Sequence, residues 1–502
     1  MSRQFKTANY EKVLNSTVRL GDCLPQTHLA HFIVETIEQL DLSIFYARYG
    51  NRGGAPYSPE ILLAVLFYGY TNGVFSSRKI EQACRDTVSY RYLAGNLTPD
   101  HDTIANFRKQ FLPELKALFV QILLLAQEMN LLKIGNVSID GTKIHADASK
   151  SKAISYKRLL QIEAKLKEEV AELFALAEAA DQSALPEGMD LPREIARRED
   201  RLKRLAEAKA ALEARAAERQ AFEEAEHQAK MREREAQQQL TGKKPPGRPP
   251  SPPAPGPKDG DQYNFTDPDS RIMKNSKDDG FNQHYNCQGA VDCESLLVVG
   301  HSLSNHANDT AEAEPTLKNV PEQLGPIAAA VLDCGFFSDV NLSALDSRDI
   351  DSYIATGRTP HNRSWQAYFE EAGDPPPESA SRREQMAYKL RTAIGKAIYR
   401  RRKCTIEPVI GQIKEAMGFR QFSLRGSGRV ESGLPGLQPV PIARSMRWIA
   451  CKRSASRLMD RNSDAIRTCR PHNLVELVPL GRSTKATGEA IQKILEFSPT
   501  SC

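Results

Sequence analysis

From residue 150 to residue 240 the chain contains one glycine, Gly188, and is otherwise dominated by Lys, Glu, Ala, Arg and Leu. Such a stretch cannot be a sheet. Leu159, Ile162, Leu166, Val170 and Leu173 recur at three- and four-residue steps, and Leu202, Leu205 and Leu212 continue the pattern past a break at Leu185-Pro186-Glu187-Gly188 and Pro192. The spacing predicts two long helices packed as an antiparallel coiled-coil hairpin. A dimer contact and a simple spacer are both open as its role. Gly242 to Pro257 follows, dense in proline, and predicts an extended flexible linker. Within it, Gly247-Arg248-Pro249 has the centre of a minor-groove hook, but Pro246 replaces the preceding basic residue, so a plain linker is the simpler reading.

Strand-like segments flank this insertion, and two of them end in a carboxylate. Val137-Ser138-Ile139-Asp140-Gly141-Thr142 reads as one strand running into a second, with Asp140 at the break. His284 to Val291 and Leu296 to Ser304 predict a hairpin, Asn308-Asp309-Thr310 a helix cap, and Ile327 to Leu332 a buried strand ending at Asp333. Ser338 and Asp339 open a helix, and Tyr353 to Ala355 forms a last short strand. A third carboxylate, Glu407, lies in the helical phrase Ile406-Glu407-Pro408-Val409-Ile410-Gly411-Gln412-Ile413-Lys414. Three converging carboxylates suit hard divalent cations, and a paired-metal site performs in-line displacement at phosphorus. An Asp before Gly is on its own only a turn residue. His145, Asp147, His284, His306 and Asp309 are further polar residues, for which hydrogen-bonded structural roles are expected.

These three phrases, in this order, resemble the DDE transposases of bacterial insertion sequences. That family places a basic residue shortly before the Glu and a Lys seven residues after it; Lys403 and Lys414 stand there. Many members carry Arg where Lys403 is, and a Tyr at a slightly different offset from Tyr399. The resemblance implies an α/β fold: a ribonuclease H-like mixed sheet with flanking helices, an all-α N-terminal domain and the inserted helical hairpin. It implies Asp140, Asp333 and Glu407 as catalytic metal ligands for Mg²⁺ or Mn²⁺, in two ions, with Asp140 bridging them. It also implies cleavage and strand transfer of double-stranded DNA, both element ends and target, by a homo-oligomer.

Basic residues cluster around Glu407, including Arg400-Arg401-Arg402-Lys403. A solvated helix face is the bland account; the position beside a candidate metal ligand favours DNA backbone contacts by Arg401, Arg402, Lys403 and Lys414. Lys414, two turns after Glu407, is expected on nearly the same helix face. Residues 1 to about 130 read as helical. Ser58-Pro59-Glu60 starts a core helix, Asn72-Gly73 ends it, Ser76 or Ser77 starts a second, and Asp102 caps a third that carries Arg108 and Lys109. A helix-turn-helix-like DNA reader and a plain bundle fit equally well. The stretch Tyr57 to Arg108 resembles the N-terminal domain of transposases of this type, which brings Arg108 and Lys109 forward as DNA contacts.

The net charge of +5 is too mild to prove a nucleic-acid partner. The nine cysteines include no CxxC pair, which excludes a simple zinc site and favours free thiols in a reducing compartment. The longest apolar runs are too short to span a bilayer and the first residues carry no signal core, so a cytoplasmic, nucleoid-associated protein is expected. The domain boundaries read as 1–130 (N-terminal), 131–149 with 261–433 (catalytic), 150–240 (hairpin), 241–260 (linker) and 434–502 (tail). In the tail, Leu434-Pro435-Gly436-Leu437-Gln438-Pro439-Val440-Pro441 stands where the family continues with an apolar helix. Codons allowed for these residues, read one base over, can spell Leu-Val-Cys-Asn-Leu-Ser. A frameshift near Gly433 is one account, and a divergent tail the other. The alternatives to an active transposase are therefore an inactive DNA-binding remnant and a nuclease that cuts without joining.

Overall fold

A computed structural model describes residues 6–10, 19–50, 54–180, 191–242, 247, 249–275, 280–357, 373–377 and 379–427. The expected tail, Gly433, Arg248 and the break at 185–188 lie outside these residues. In chain order the helices α1 (Leu29–Ile37), α2 (Ser43–Tyr46), α3 (Pro59–Thr71), α4 (Ser77–Asp86), α5 (Val88–Leu93), α6 (His101–Gln110) and α7 (Leu112–Glu128) lead into strand β1 (Asn136–His145). Next come β2 (Ala153–Ser155), α8 (Tyr156–Ala180), α9 (Leu191–Thr241), β3 (Gln262–Asn264) and β4 (Arg271–Lys274). The remainder is β5 (Phe281–Asp292), β6 (Val298–Ser304), α10 (Ala313–Lys318), β7 (Ala329–Leu332), α11 (Asp339–Asp346), β8 (Asp351–Ile354), α12 (Arg382–Arg391), α13 (Ala393–Tyr399) and α14 (Arg401–Gly411). The fold is mixed α/β, with a helical N-terminal region and a mixed sheet.

The chain divides into two compact units, one of Met1–His145 with Tyr285–Cys502, the other of Ala146–His284. The N-terminal helices thus belong to the same unit as the sheet. In that unit α3 is buried almost all round, which its unbroken apolar run requires. Pro59 sits at its first turn, and it stops where Gly73 takes a φ of +74°. A side chain at Gly73 would meet the Met417 carbonyl at 2.8 Å, and Phe75 packs edge-on against Phe419. The turn after α3 is therefore seated on the segment that follows α14.

Helices α4 and α6 are tied at two points. Glu81 accepts from the backbone N–H of His101 and pairs with its Nδ1 at 2.7 Å. Arg108 donates to the Tyr70 hydroxyl (2.9 Å), the Phe75 carbonyl (3.0 Å) and Ser77 Oγ. The cap of α6 is Asp100, whose carboxylate accepts from Thr103 N–H; Asp102 instead lies in the first turn. The difference of two residues follows from Asp100 having the extended backbone a cap needs.

The sheet runs β5-β1-β7-β8, with β6 on β5. Strands β1, β7 and β8 are parallel, and the β5–β6 hairpin is antiparallel, as its sequence predicts. β1 is one continuous ten-residue strand rather than two, running through Asp140-Gly141 without a break. One face is covered by α14, whose Ile406 and Val409 pack on Val291 and Val298. Beside it Leu390, Ile398 and Tyr399 cover Ala329, Val331 and Tyr353. Ser338 caps α11 as expected, accepting from Asn341 N–H while its hydroxyl donates to the Thr310 carbonyl. α10 departs from expectation: it starts at Ala313 after Glu312, and no side chain caps it, so Asp309 is left for another role.

In the second unit α8 and α9 pack around Leu159, Leu166, Leu205, Ala208 and Leu212, and the four leucines are among the positions the periodicity selects. Lys209–Glu163 (3.2 Å) and Arg198–Glu169 (3.0 Å) link the helices in antiparallel order. β2 and β3 pair beneath them, and β4 pairs with Phe281–His284. The described part of the Pro-rich segment is pinned rather than free: α9 donates to its carbonyls from Arg219 to Gly256, His227 to Pro250 and Arg234 to Gly247. Two of these acceptors are glycine carbonyls and the third is the carbonyl of Pro250, which proline keeps although it lacks an N–H.

Candidate active site

The register of two parallel strands decides the site. Ile139 pairs with Leu332, so the next residues, Asp140 midway along β1 and Asp333 just past the end of β7, fall side by side. Pleating sends both away from the face that buries Ile139 and Leu332. Each carboxylate is held by a nearby backbone N–H: Asp140 Oδ1 accepts from Gly141 (2.8 Å) and Asp333 Oδ1 from Gly335 (2.7 Å).

The third carboxylate arrives on α14. With Ile406 and Val409 turned to the sheet, Glu407 is left on the exposed side of the helix. Arg402 links it back to the strand. Its guanidinium donates to Asp140 Oδ2 at 3.1 Å and to Glu407 Oε1 at 2.9 Å. Arg402 is 14% exposed and its Nε has no partner. Burial opposes its charge, but Asp140, Tyr399, Glu407 and Asp333 together outweigh that and favour the cation.

Burial, and then the charge of Asp333, push the Asp140 carboxyl up to about 6, against the opposing pull of Arg402 and the Gly141 N–H. Asp309 adds to the rise. Burial likewise raises Tyr399 and lowers Lys414.

The basic residues picked from sequence divide into two groups. Arg402 faces inward on the carboxylates. Lys414 donates to the Lys143 carbonyl on β1 (2.8 Å) and is largely enclosed. The spacing argument for Lys414 assumed an unbroken α-helix. Pro408 removes one helical N–H, and the chain passes into a π-helical turn at Gln412–Ala416. Lys403 and Lys109 are exposed, Arg401 stands 3.9 Å from Glu294, and Arg108 is consumed by its three hydrogen bonds. His306 pairs with Glu312 and His284 with the Asn282 carbonyl. The six described cysteines are all free.

Two segments match known families. Residues 18–110 match a transposase domain (DUF772), and residues 376–434, which carry Glu407 and Lys414, match a transposase DDE domain. Both matches are to domains of transposases, and together they support an insertion-sequence DDE transposase. No curated protein and no solved structure matches it. Asp140 and Asp333 lie outside both matched segments, so their place in the site rests on the strand register and on the Arg402 contact to Asp140.

Among the described residues, no three acidic, His or Cys side chains stand close enough to hold an ion as they are. The donor chemistry nevertheless suits a hard cation: the groups around Asp140 are carboxylates, and the buried Gln288 Oε1 nearby has no hydrogen-bond partner. Arg402 supplies the positive charge between Asp140 and Glu407. No helix among the described residues is long and apolar enough to cross a membrane.

Proposed function

We propose that this transposase cleaves insertion-sequence ends and joins them to target DNA, using Asp140, Asp333 and Glu407 on a ribonuclease H-like sheet. The observation that carries the reading is the register of β1 and β7, which sets Asp140 beside Asp333, with Glu407 tied to Asp140 through Arg402. The three carboxylates would hold two Mg²⁺ or Mn²⁺ ions. Bound there, the ions supply Lewis acidity at the scissile phosphate. Asp140 would hold an ion as the carboxylate, and Arg402, where its carboxylate partners are taken up by ions, would be available to a phosphate alongside Lys403 and Arg401. The α8–α9 hairpin is proposed as a coiled coil serving as a spacer or as a contact between copies on DNA.

The test is Mg²⁺- or Mn²⁺-dependent cleavage of DNA carrying the gene's own flanking sequences. Asp140→Asn should lower cleavage about 10²–10³-fold. Cleavage that survives this change would remove Asp140 from the chemistry. For the N-terminal helices, Lys109→Ala should weaken DNA binding and reduce the salt slope by about one, with melting unchanged. Arg108→Ala should instead lower the melting temperature, because it strips the ties between α3, α4 and α6. Equal salt slopes for Lys109→Ala and wild type would rule out a phosphate contact there.

One observation favours a second reading, a DNA-binding remnant without activity. The DDE match runs to residue 434, and the Pro-rich departure from the family pattern begins at Leu434. Binding of the flanking DNA without metal-dependent cleavage by the wild-type chain would decide for it.

A further inference from the structure

The geometry points to Asp309 as a positioning residue for the ion held by Asp140 and Asp333, an inference that rests on the proposed function. Asp309 lies between β6 and α10, and Asn341 Nδ2 holds its backbone carbonyl at 3.0 Å. Its Oδ1 accepts from two amides at once: Asn286 Nδ2 at 2.7 Å and Gln288 Nε2 at 2.6 Å. Those residues alternate along β5, so the pleat turns both to one side. The carboxylate is thus aimed from outside the sheet at the strand that carries Asp140.

The two glycines beside the acids record how close it comes. A Cβ at Gly141 would lie 2.5 Å from Gln288 Nε2 and 2.9 Å from Asp309 Oδ1. A Cβ at Gly335 would lie 3.0 Å from Asp333 Oδ1 and 3.5 Å from Asp309 Oδ2. Asp309 therefore reaches from the Asp140-Gly141 step to the Asp333–Gly335 turn. Its Oδ1 is fully engaged, and its Oδ2 is turned toward the Asp333 side.

A purely structural account, in which Asp309 only fastens its loop to β5, leaves two features unexplained. One is a third anion placed against two others. The second is independent: Gln288 is 2% exposed, its Nε2 is committed to Asp309, and its Oε1 accepts from nothing. That oxygen lies 2.8 Å from the position a Gly141 Cβ would occupy. A metal ion with its waters provides what both need, a positive charge for Asp309 Oδ2 and an O–H donor for Gln288 Oε1. Asp309 then orients the ion's water shell, and Gln288 fixes Asp309.

The test is an Mn²⁺ titration of the full chain without DNA, followed by electron paramagnetic resonance of the free ion. Asp309→Asn retains an oxygen that can accept both amide hydrogen bonds but removes the charge. It should melt like wild type and weaken Mn²⁺ binding about tenfold or more. Mn²⁺ affinity within about twofold of wild type, while Asp140→Asn and Asp333→Asn each lose binding, would overturn the role of Asp309 and leave the metal site standing. Binding unchanged in Asp140→Asn and Asp333→Asn, or absent from wild type, would instead overturn the metal reading itself, and this inference with it. Should Asp309→Asn melt differently from wild type, Asp309→Ser takes its place under the same thresholds.

Discussion

The α8–α9 hairpin and the sheet around Asp140 both depend on charged residues, and they treat them oppositely. In the hairpin, Glu163 pairs with Lys167 and Lys209, and Arg198 with Glu169 and Glu194, at the solvent boundary. Such pairs trim the surface and contribute little to stability, while the leucine stripe holds the helices together. Around Asp140, by contrast, Asp140 and Arg402 are mostly buried and Asp333 stands close by. There the charges cost stability, and the protein keeps them. Residues retained against their own desolvation mark a site, whereas residues that only decorate a helix mark a surface.

The sharpest way to break this comparison is in the hairpin core. Leu205→Ala should cost about 2–5 kcal/mol in thermal or denaturant unfolding of the second unit, with Mn²⁺ binding unaltered. A cost below about 1 kcal/mol would mean that the leucine stripe does not hold the hairpin.

Next in size is the effect of pH on Asp140. Its carboxyl rises from 3.8 to about 6 on folding, so the folded chain binds more protons between those values. Stability therefore falls as pH rises through that window, and above about 6 the ionised group costs on the order of 3 kcal/mol. Asp140→Asn should accordingly melt higher than wild type at pH 7–8 and no higher at pH 4, without metal. Mn²⁺ affinity of the wild type should increase as pH passes through about 6, since the ion needs the carboxylate. A difference in melting that is constant across pH 4–8 would show that Asp140 is not held in this way.

The smallest effect belongs to the hairpin surface. Glu163→Gln should change stability by less than about 1 kcal/mol, and less again at high salt. A larger loss would put Glu163 in the same class as Asp140 and erase the contrast.

What could be read from the chain differs between the two regions for the same reason. The hairpin is written in local spacing: Leu159, Leu166, Leu205 and Leu212 announce their shared face, and all are buried. The β5–β6 hairpin, β7 and the Ser338 cap are similarly local. Misreadings came where a local signal met a tertiary competitor. Asp309 looks like a helix cap, yet two amides on β5 capture its carboxylate and α10 begins later. Arg108 and Arg402 both carry the basic signal of a DNA contact, and in the fold neutral acceptors engage the first and carboxylates the second. Gln288 gave no signal; only an acceptor 21 residues away in sequence, brought beside β5 by folding, makes it notable.

By itself, then, the sequence determined the helical N-terminal region, the long inserted helices, the β5–β6 hairpin, β7, β8 and the three acids worth watching. These follow from periodicity, caps and proline placement, each felt within a few residues. Only the tertiary structure decided that Asp140 and Asp333 are neighbours, that Arg402 stands between Asp140 and Glu407, and that Asp309 joins them. Those facts depend on the register of β1 against β7 and on the seating of α14. Both are fixed by burial of apolar side chains from distant parts of the chain, which no local pattern encodes.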